Sequence, residues 1–201
     1  MSARKADGSS VEDWVKPLTI GGRWGRVSSS NKEMVDVSAV RDDFAPSFRA
    51  EFGIELEDMW PGGDPPDITA RIGTRLISVE LVELMHDAVR EKKANGLPVS
   101  FDEQQWNEEQ LIAKLNFLLD KKEAKYARRA DGFRTDALLI VSCELWMSRT
   151  SVADWLSRTT FRPRSTIGSA YFGIEGLPNN PTPHFPLHCL YGVLGAGCAS
   201  N

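Results

Sequence analysis

Long apolar runs are missing from this 201-residue chain. The best, "ALLIVSC" at 137–143, has the length of a buried strand and falls far short of a membrane span. The opening "MSARKADGSS" carries no apolar core of a secretory signal. Cysteine is scarce: Cys143, Cys189 and Cys198 form no CxxC and no close pair. That argues against a disulfide framework and leads us to expect reduced thiols in the cytoplasm. No internal repeat or low-complexity tract interrupts the chain. Positive charge in excess is also absent, since the net charge is −4, which weighs weakly against a general nucleic-acid binder.

The charge that is present is unevenly spread. Residues 33–109 hold 18 acids against 7 Lys/Arg, net −11, whereas residues 110–165 hold 11 Lys/Arg against 6 acids, net +5. A carboxylate site beside a phosphate-binding surface would give this pattern, and so would two ordinary solvated faces. With 41% hydrophobic and 26% charged residues, the composition suits one globular domain. Residues 1–30, rich in Ser, Gly and charge, read as a flexible arm. Residues 31–201 read as a single domain.

Within that domain Met34, Val37, Val40 and Phe44 recur at helical spacing behind Ser30 or Asn31, with Pro46 expected to end the helix. "PSFRAEFGIELEDMW" suggests one more short helix. "SFDEQQWNEEQLIAKLNFLLDKKEAKYARRA" opens on Ser100 and Glu103 in capping-box spacing. Its Leu111, Leu115, Leu118, Leu119 and Lys122 trace one stripe, so a long amphipathic helix is expected. "RTDALLIVSCELW" reads as a buried strand and "SRTSVADWLSRTTF" as a helix capped by Ser151. "SAYFGIEGL" and "FPLHCLYGVL" read as late strands. Helices alternating with strands imply an α/β fold with a mixed central β-sheet.

The informative stretch is "DPPDITARIGTRLISVELVEL", residues 64–84. Gly73-Thr74 fits a two-residue type II′ turn, which wants Gly first. Ile72 then pairs with Arg75, Thr69 with Ser78, and Asp67 lies opposite Glu80 on one sheet face. Ile77, Val79 and Leu81 take the other, buried face. Like charges facing each other destabilise a sheet. A shared proton, a neighbouring cationic side chain or a divalent cation would relieve them. So would plain solvation at an exposed strand end beside Arg71.

These residues resemble the core of the PD-(D/E)XK nuclease superfamily, in which Pro-Asp opens a hairpin and an acid on the second strand is followed by X-Lys. Pro66-Asp67 matches the first element and Glu80 the second. The resemblance extends more weakly through "LIAKLNFLLDKKEAKY" and "ALLIV", covering roughly residues 30–145. It implies a restriction-endonuclease-like fold. It also implies Mg²⁺ or Mn²⁺ held by Asp67, Glu80 and the Leu81 carbonyl, and hydrolysis of phosphodiesters in nucleic acid, DNA first.

The chain departs from the pattern at Val82, which stands where the family places its lysine. In some members the following helix supplies that lysine instead. Lys114 is the candidate here, with Gln110 one turn before it. For a third acid the resemblance offers Glu33, Glu51 and Glu55, of which Glu55 is preferred. Lys121, Lys125, Arg128 and Arg129, continuing to Arg134, with Arg158, Arg162 and Arg164 beyond, would track a phosphate backbone. Enzymes of this type often act as homodimers. The alternatives are a nuclease-like scaffold that has lost catalysis and serves as a binding or regulatory subunit, and an unrelated α/β protein.

Other signals are discounted. "HFPLHC" lacks a second ligand pair for zinc, and His86 is expected to cap or pack. Trp60, Trp106, Trp146 and Trp155 lie in apolar contexts and are expected in the core.

Overall fold

The computed structural model describes residues 36–38, 40–63, 65–87, 90–91, 95–96, 106–142, 147–174 and 186–194. The expected arm at 1–30, Glu33 and the Ser100/Glu103 pair lie outside the described residues, as do Trp146, Cys143 and Cys198.

Six strands form one mixed sheet whose spatial order follows the chain: β1 (Glu57–Pro61), β2 (Ile68–Ile72), β3 (Arg75–Glu83), β4 (Thr135–Ser142), β5 (Ile167–Ile174) and β6 (Leu187–Tyr191). β1, β2 and β3 pair antiparallel, β3–β4 and β4–β5 parallel, and β5–β6 antiparallel. Each parallel step needs a crossover, which helices supply here. α2 (Glu108–Ala127) lies between β3 and β4, and α3 (Arg149–Ser157) between β4 and β5. α1 (Ala45–Phe52) precedes the sheet. The α/β expectation with a mixed sheet and flanking helices therefore holds.

Both faces of the sheet are covered, which explains the unbroken apolar run of β4: Ala137, Leu139 and Val141 turn one way, Leu138 and Ile140 the other. On the first face α1 and the π-turn before it (Val40–Phe44) bury Val40, Phe44 and Phe48 against Ile68, Ala70, Ile77 and Val79. Each such large side chain contributes about 1.5–3 kcal/mol on burial. On the second face α2 and α3 pack Leu111, Leu115, Leu119 and Val152 against Leu138, Ile140 and Phe172.

Several local expectations are corrected. Pro46 sits in the first turn of α1 and starts that helix, since a missing N–H costs nothing there. α1 stops at Gly53, whose φ of +66° suits the left-handed cap. The second half of the stretch read as helix, "EDMWP", is edge strand β1. α2 begins at Glu108, capped by Asn107, which exchanges side-chain and backbone hydrogen bonds with Gln110 in a full capping box. α3 is capped by Ser148, whose Oγ accepts from the Ser151 N–H, so Ser151 is inside the helix. Trp60 is 37% exposed on β1 and does not join the core, whereas Trp106 and Trp155 are partly buried against the second core.

No helix among the described residues is long and apolar enough to cross a membrane.

Candidate metal and phosphodiester site

The β2–β3 hairpin has the register the turn residues imply. Ile72 pairs with Arg75, Arg71 with Leu76, Thr69 with Ser78 and Ile68 with Val79. Gly73 has φ +58° and Thr74 does not share the positive φ, the sign pattern of a type II′ turn. The ladder ends at the Ile68–Val79 pair, one residue short of the expected Asp67–Glu80 pairing. Because Ile77 and Val79 belong to the first core, alternation turns Glu80 to the second face, on which α2 lies, while Asp67 stands one residue before β2 at the edge of the ladder.

Asp67 is held by the end of the ladder itself. Its Oδ2 accepts the Leu81 N–H at 2.9 Å, taking the place of a strand carbonyl just before β2 begins. N–H and C=O of one strand residue leave on the same edge, so the Leu81 carbonyl also points toward the Asp67 side. The approach to Asp67 is fixed by close packing. The Gly62 N–H donates to the Asp67 carbonyl at 3.0 Å, and a Cβ at Gly62 would overlap the Pro66 carbonyl oxygen.

Glu80 is only 2% exposed. Its Oε2 accepts from Lys122 Nζ at 2.5 Å, and its Oε1 is buried with no hydrogen-bond partner. A buried carboxylate oxygen left unpaired costs about 1–3 kcal/mol or more, and native structures seldom tolerate it without a functional reason. Lys122 reaches down from α2, its ammonium 5.7 Å from the Tyr126 ring centroid.

Lys114, the lysine expected near the acids, lies elsewhere. It is buried, and its Nζ meets Asp87 Oδ1 at 2.5 Å, tying α2 to the segment after β3. Lys114 holds the Asp87 carboxyl below its ordinary range by this hydrogen bond. Lys114 and Lys122 are eight residues apart, about 12 Å along a helix, so the two mark different levels of the sheet. The signal for Lys122 was present in the sequence: it is the one charged member of the stripe Leu111–Leu115–Leu118–Leu119–Lys122.

Glu55 does not join the site. Both its oxygens take Arg49 at 2.6 Å in the exposed connection from α1 to β1. Glu51 lies on α1, the layer covering the opposite sheet face. Among the described residues no three His, Cys, Asp or Glu side chains gather in a metal-binding group.

Of the expected phosphate-contacting residues, Lys121, Lys125 and Arg128 are exposed along α2. Arg129 is bound to Asp131 through both its Nε and Nη2. Arg158 bridges Glu108 and Asp154. Arg164 is buried and grips Asp120 and Asn116. Arg162 is exposed, 4.0 Å from Asp120, and Arg134 is exposed after α2. The other flank of α2 is pinned to β5: Glu123 accepts hydrogen bonds from the backbone N–H and hydroxyl of both Ser165 and Thr166. With that flank occupied, the row Lys121–Lys125–Arg128, spaced i, i+4, i+7, faces the hairpin side.

A buried carboxylate oxygen without a partner on Glu80 and the Asp67 carboxylate near the Leu81 edge are of the donor type Mg²⁺ takes, one or two carboxylates with waters. No protein-family model, curated protein or solved structure matches the chain.

Proposed function

We propose that the chain is a metal-dependent phosphodiesterase acting on nucleic acid, with the restriction-endonuclease-like core its hairpin suggests. The observation that carries this reading is Glu80: a deeply buried carboxylate, one oxygen on Lys122 and the other unpaired, with Asp67 bound to the N–H of its neighbour Leu81. The order of elements gives further support, with an antiparallel hairpin, a crossover helix and a parallel strand in succession.

In this reading Asp67 and Glu80 hold Mg²⁺ or Mn²⁺ with the Leu81 carbonyl. Such an ion, when bound, would supply Lewis acidity toward a phosphodiester oxygen and lower the pKa of a bound water. Lys122 takes the role left vacant by Val82: its ammonium fixes the Glu80 carboxylate and offsets negative charge that develops beside it. The exposed row on α2 meets backbone phosphates, which carry no sequence code.

A second reading, an inert scaffold that binds or regulates, is favoured by Val82 and by the direct Lys122–Glu80 ion pair, since that pair neutralises Glu80 without any metal. Two measurements separate the two. Mg²⁺-dependent cleavage of single-stranded and duplex DNA is expected for the wild-type chain and not for Asp67→Ala or Glu80→Ala. Thermal stabilisation by Mg²⁺ or Mn²⁺ is expected to vanish in Asp67→Asn. Cleavage unchanged in both Ala variants removes the assignment, and metal-independent stability in the wild type favours the scaffold.

A further inference from the structure

Lys114 is a buried cation that the acids of the hairpin do not use. The residue is only 8% exposed, yet its charge is answered at the surface, by an Asp87 side chain that is 63% exposed. An ammonium carries three N–H donors, and among the described residues Lys114 uses one, on Asp87 Oδ1 at 2.5 Å. The Phe117 ring, its centroid 5.4 Å away, attracts the charge but offers no lone pair. A buried ammonium with donors left over calls for another acceptor.

Asp87 does not belong to Lys114 alone. The same Oδ1 accepts from Arg90 Nη2, and among the described residues this is the one side-chain hydrogen bond of the Arg90 guanidinium, which has five donors. One carboxylate oxygen thus answers two cations. The hydrogen bond from Lys114, and then the charges of Lys114, Arg90 and His86, hold the Asp87 carboxyl below its ordinary range. Glu91, the next acid along the chain, forms no ion pair with Arg90. Positive charge is therefore in excess at this point of the surface.

Aromatic groups border it. Phe117 is 53% exposed on the flank of α2 that the Lys114 ammonium reaches, and His86 meets Trp106 edge-on with ring centroids 4.8 Å apart. Asp87 follows the end of β3 by four residues, on the side of the sheet where parallel β3, β4 and β5 all finish. Open α/β sheets bind ligands beyond the carboxyl ends of their strands.

We propose that Lys114 and Arg90 bind the phosphomonoester group of a nucleotide, free or at a strand end, with its nucleoside part against Phe117. A phosphomonoester presents three acceptor oxygens to a guanidinium fork and an ammonium that both have donors in hand. Asp87 keeps the two cations together for it. This site is separate from the acids, since Lys114 stands about 12 Å along α2 from Lys122, and it needs no metal. The choice of a nucleotide rests on the phosphodiesterase reading, whereas the oxyanion site does not.

The test is isothermal titration calorimetry of the full chain in EDTA. The probes are adenosine 5′-monophosphate, adenosine, inorganic phosphate, and one single-stranded oligonucleotide phosphorylated at its 5′ end, its 3′ end or neither. The monophosphate is expected to bind at least about 10-fold more tightly than adenosine, the loss that goes with one hydrogen bond to a charged group. Arg90→Gln should erase that difference, and so should Lys114→Met. Melting temperatures check folding, and the exposed Arg90 carries the test if the buried substitution unfolds the chain. Phe117→Ala should weaken the monophosphate about 5-fold or more and leave inorganic phosphate unchanged. A phosphorylated oligonucleotide that outbinds the monophosphate assigns the site to strand ends, and the reverse order assigns it to free nucleotides. Equal affinity for monophosphate and adenosine, binding of no probe, or a phosphate preference that survives Arg90→Gln overturns the proposal. Asp67→Asn separates the two claims. It should keep the phosphate preference, and unaltered cleavage in that variant removes only the phosphodiesterase reading.

Discussion

The ammonium of Lys122 lies 2.5 Å from Glu80 Oε2, joining helix α2 to strand β3 across the second core. The carboxylate is almost fully buried, whereas the lysine side chain is 19% exposed. Removing the cation alone would strand a buried negative charge, which costs about 3–5 kcal/mol. Lys122→Met is therefore expected to lower stability by that order in urea unfolding. Adding Glu80→Gln should recover part of the loss, because the uncompensated charge is then gone. A Lys122→Met chain as stable as wild type would mean that the ion pair contributes nothing to holding α2 on the sheet.

Lys114 and Lys122 should separate in activity. Lys114 serves Asp87 and Lys122 serves Glu80. If the acids carry phosphodiester chemistry, Lys122→Ala should reduce the cleavage rate at least about 100-fold, in the range of a lost charge-stabilising group. Lys114→Ala should cost much less. Single-turnover assays at saturating Mg²⁺ compare the two, and an equal loss in both would deny Lys122 its special place.

Gly62 tests how Asp67 is placed. A side chain there would collide with the Pro66 carbonyl, so the connection to Asp67 must shift. Gly62→Ala is expected to weaken metal-induced thermal stabilisation more than it lowers the melting temperature of the metal-free chain. The reverse order would mean that the connection only stabilises the fold.

Glu123 gives a pH signature away from the site. Burial pushes its pKa up, but hydrogen bonds from the hydroxyls and N–H groups of Ser165 and Thr166 outweigh this and hold it at about 2, against an ordinary 4.5. A folded-state pKa below the unfolded value means that the unfolded chain binds the proton more readily. The stabilisation is complete above pH 4.5 and is lost as pH falls toward 2. Glu123→Gln should cost about 1–3 kcal/mol at pH 6–7, and its gap from wild type in chemical unfolding should close as pH falls from 4.5 toward 2.5. A gap constant over that range would sink this account.

The hairpin was legible because two local signals agree: a Gly-first turn and strict alternation from Ile77 to Leu81. The α/β character was legible for a similar reason, since β4 reads as a two-sided apolar run. Strand β1 was hidden because its alternation is broken. A register shift separates Glu57 from Trp60, and Asp58 adopts φ +44°, placing its carboxylate against Arg71. The start of α2 was misplaced because Ser100/Glu103 and Asn107/Gln110 show the same capping pattern in the sequence, and α2 starts from the second pair. The stripe named Lys122, but which lysine reaches an acid depends on where the helix crosses the sheet. No local periodicity encodes that crossing.

The left-handed Asp58 has a consequence for association. Among the described residues β1 is a border of the sheet, and the irregular step between Glu57 and Trp60, with Asp58 in it and Pro61 after it, interrupts the regular row of N–H and C=O groups that a stranger strand would need. Charge, proline and a bend are the devices by which exposed sheet margins resist fusion with other molecules. A second copy of the chain meeting this margin would therefore have to dock by its side chains, for the backbone of β1 offers it no regular ladder to extend.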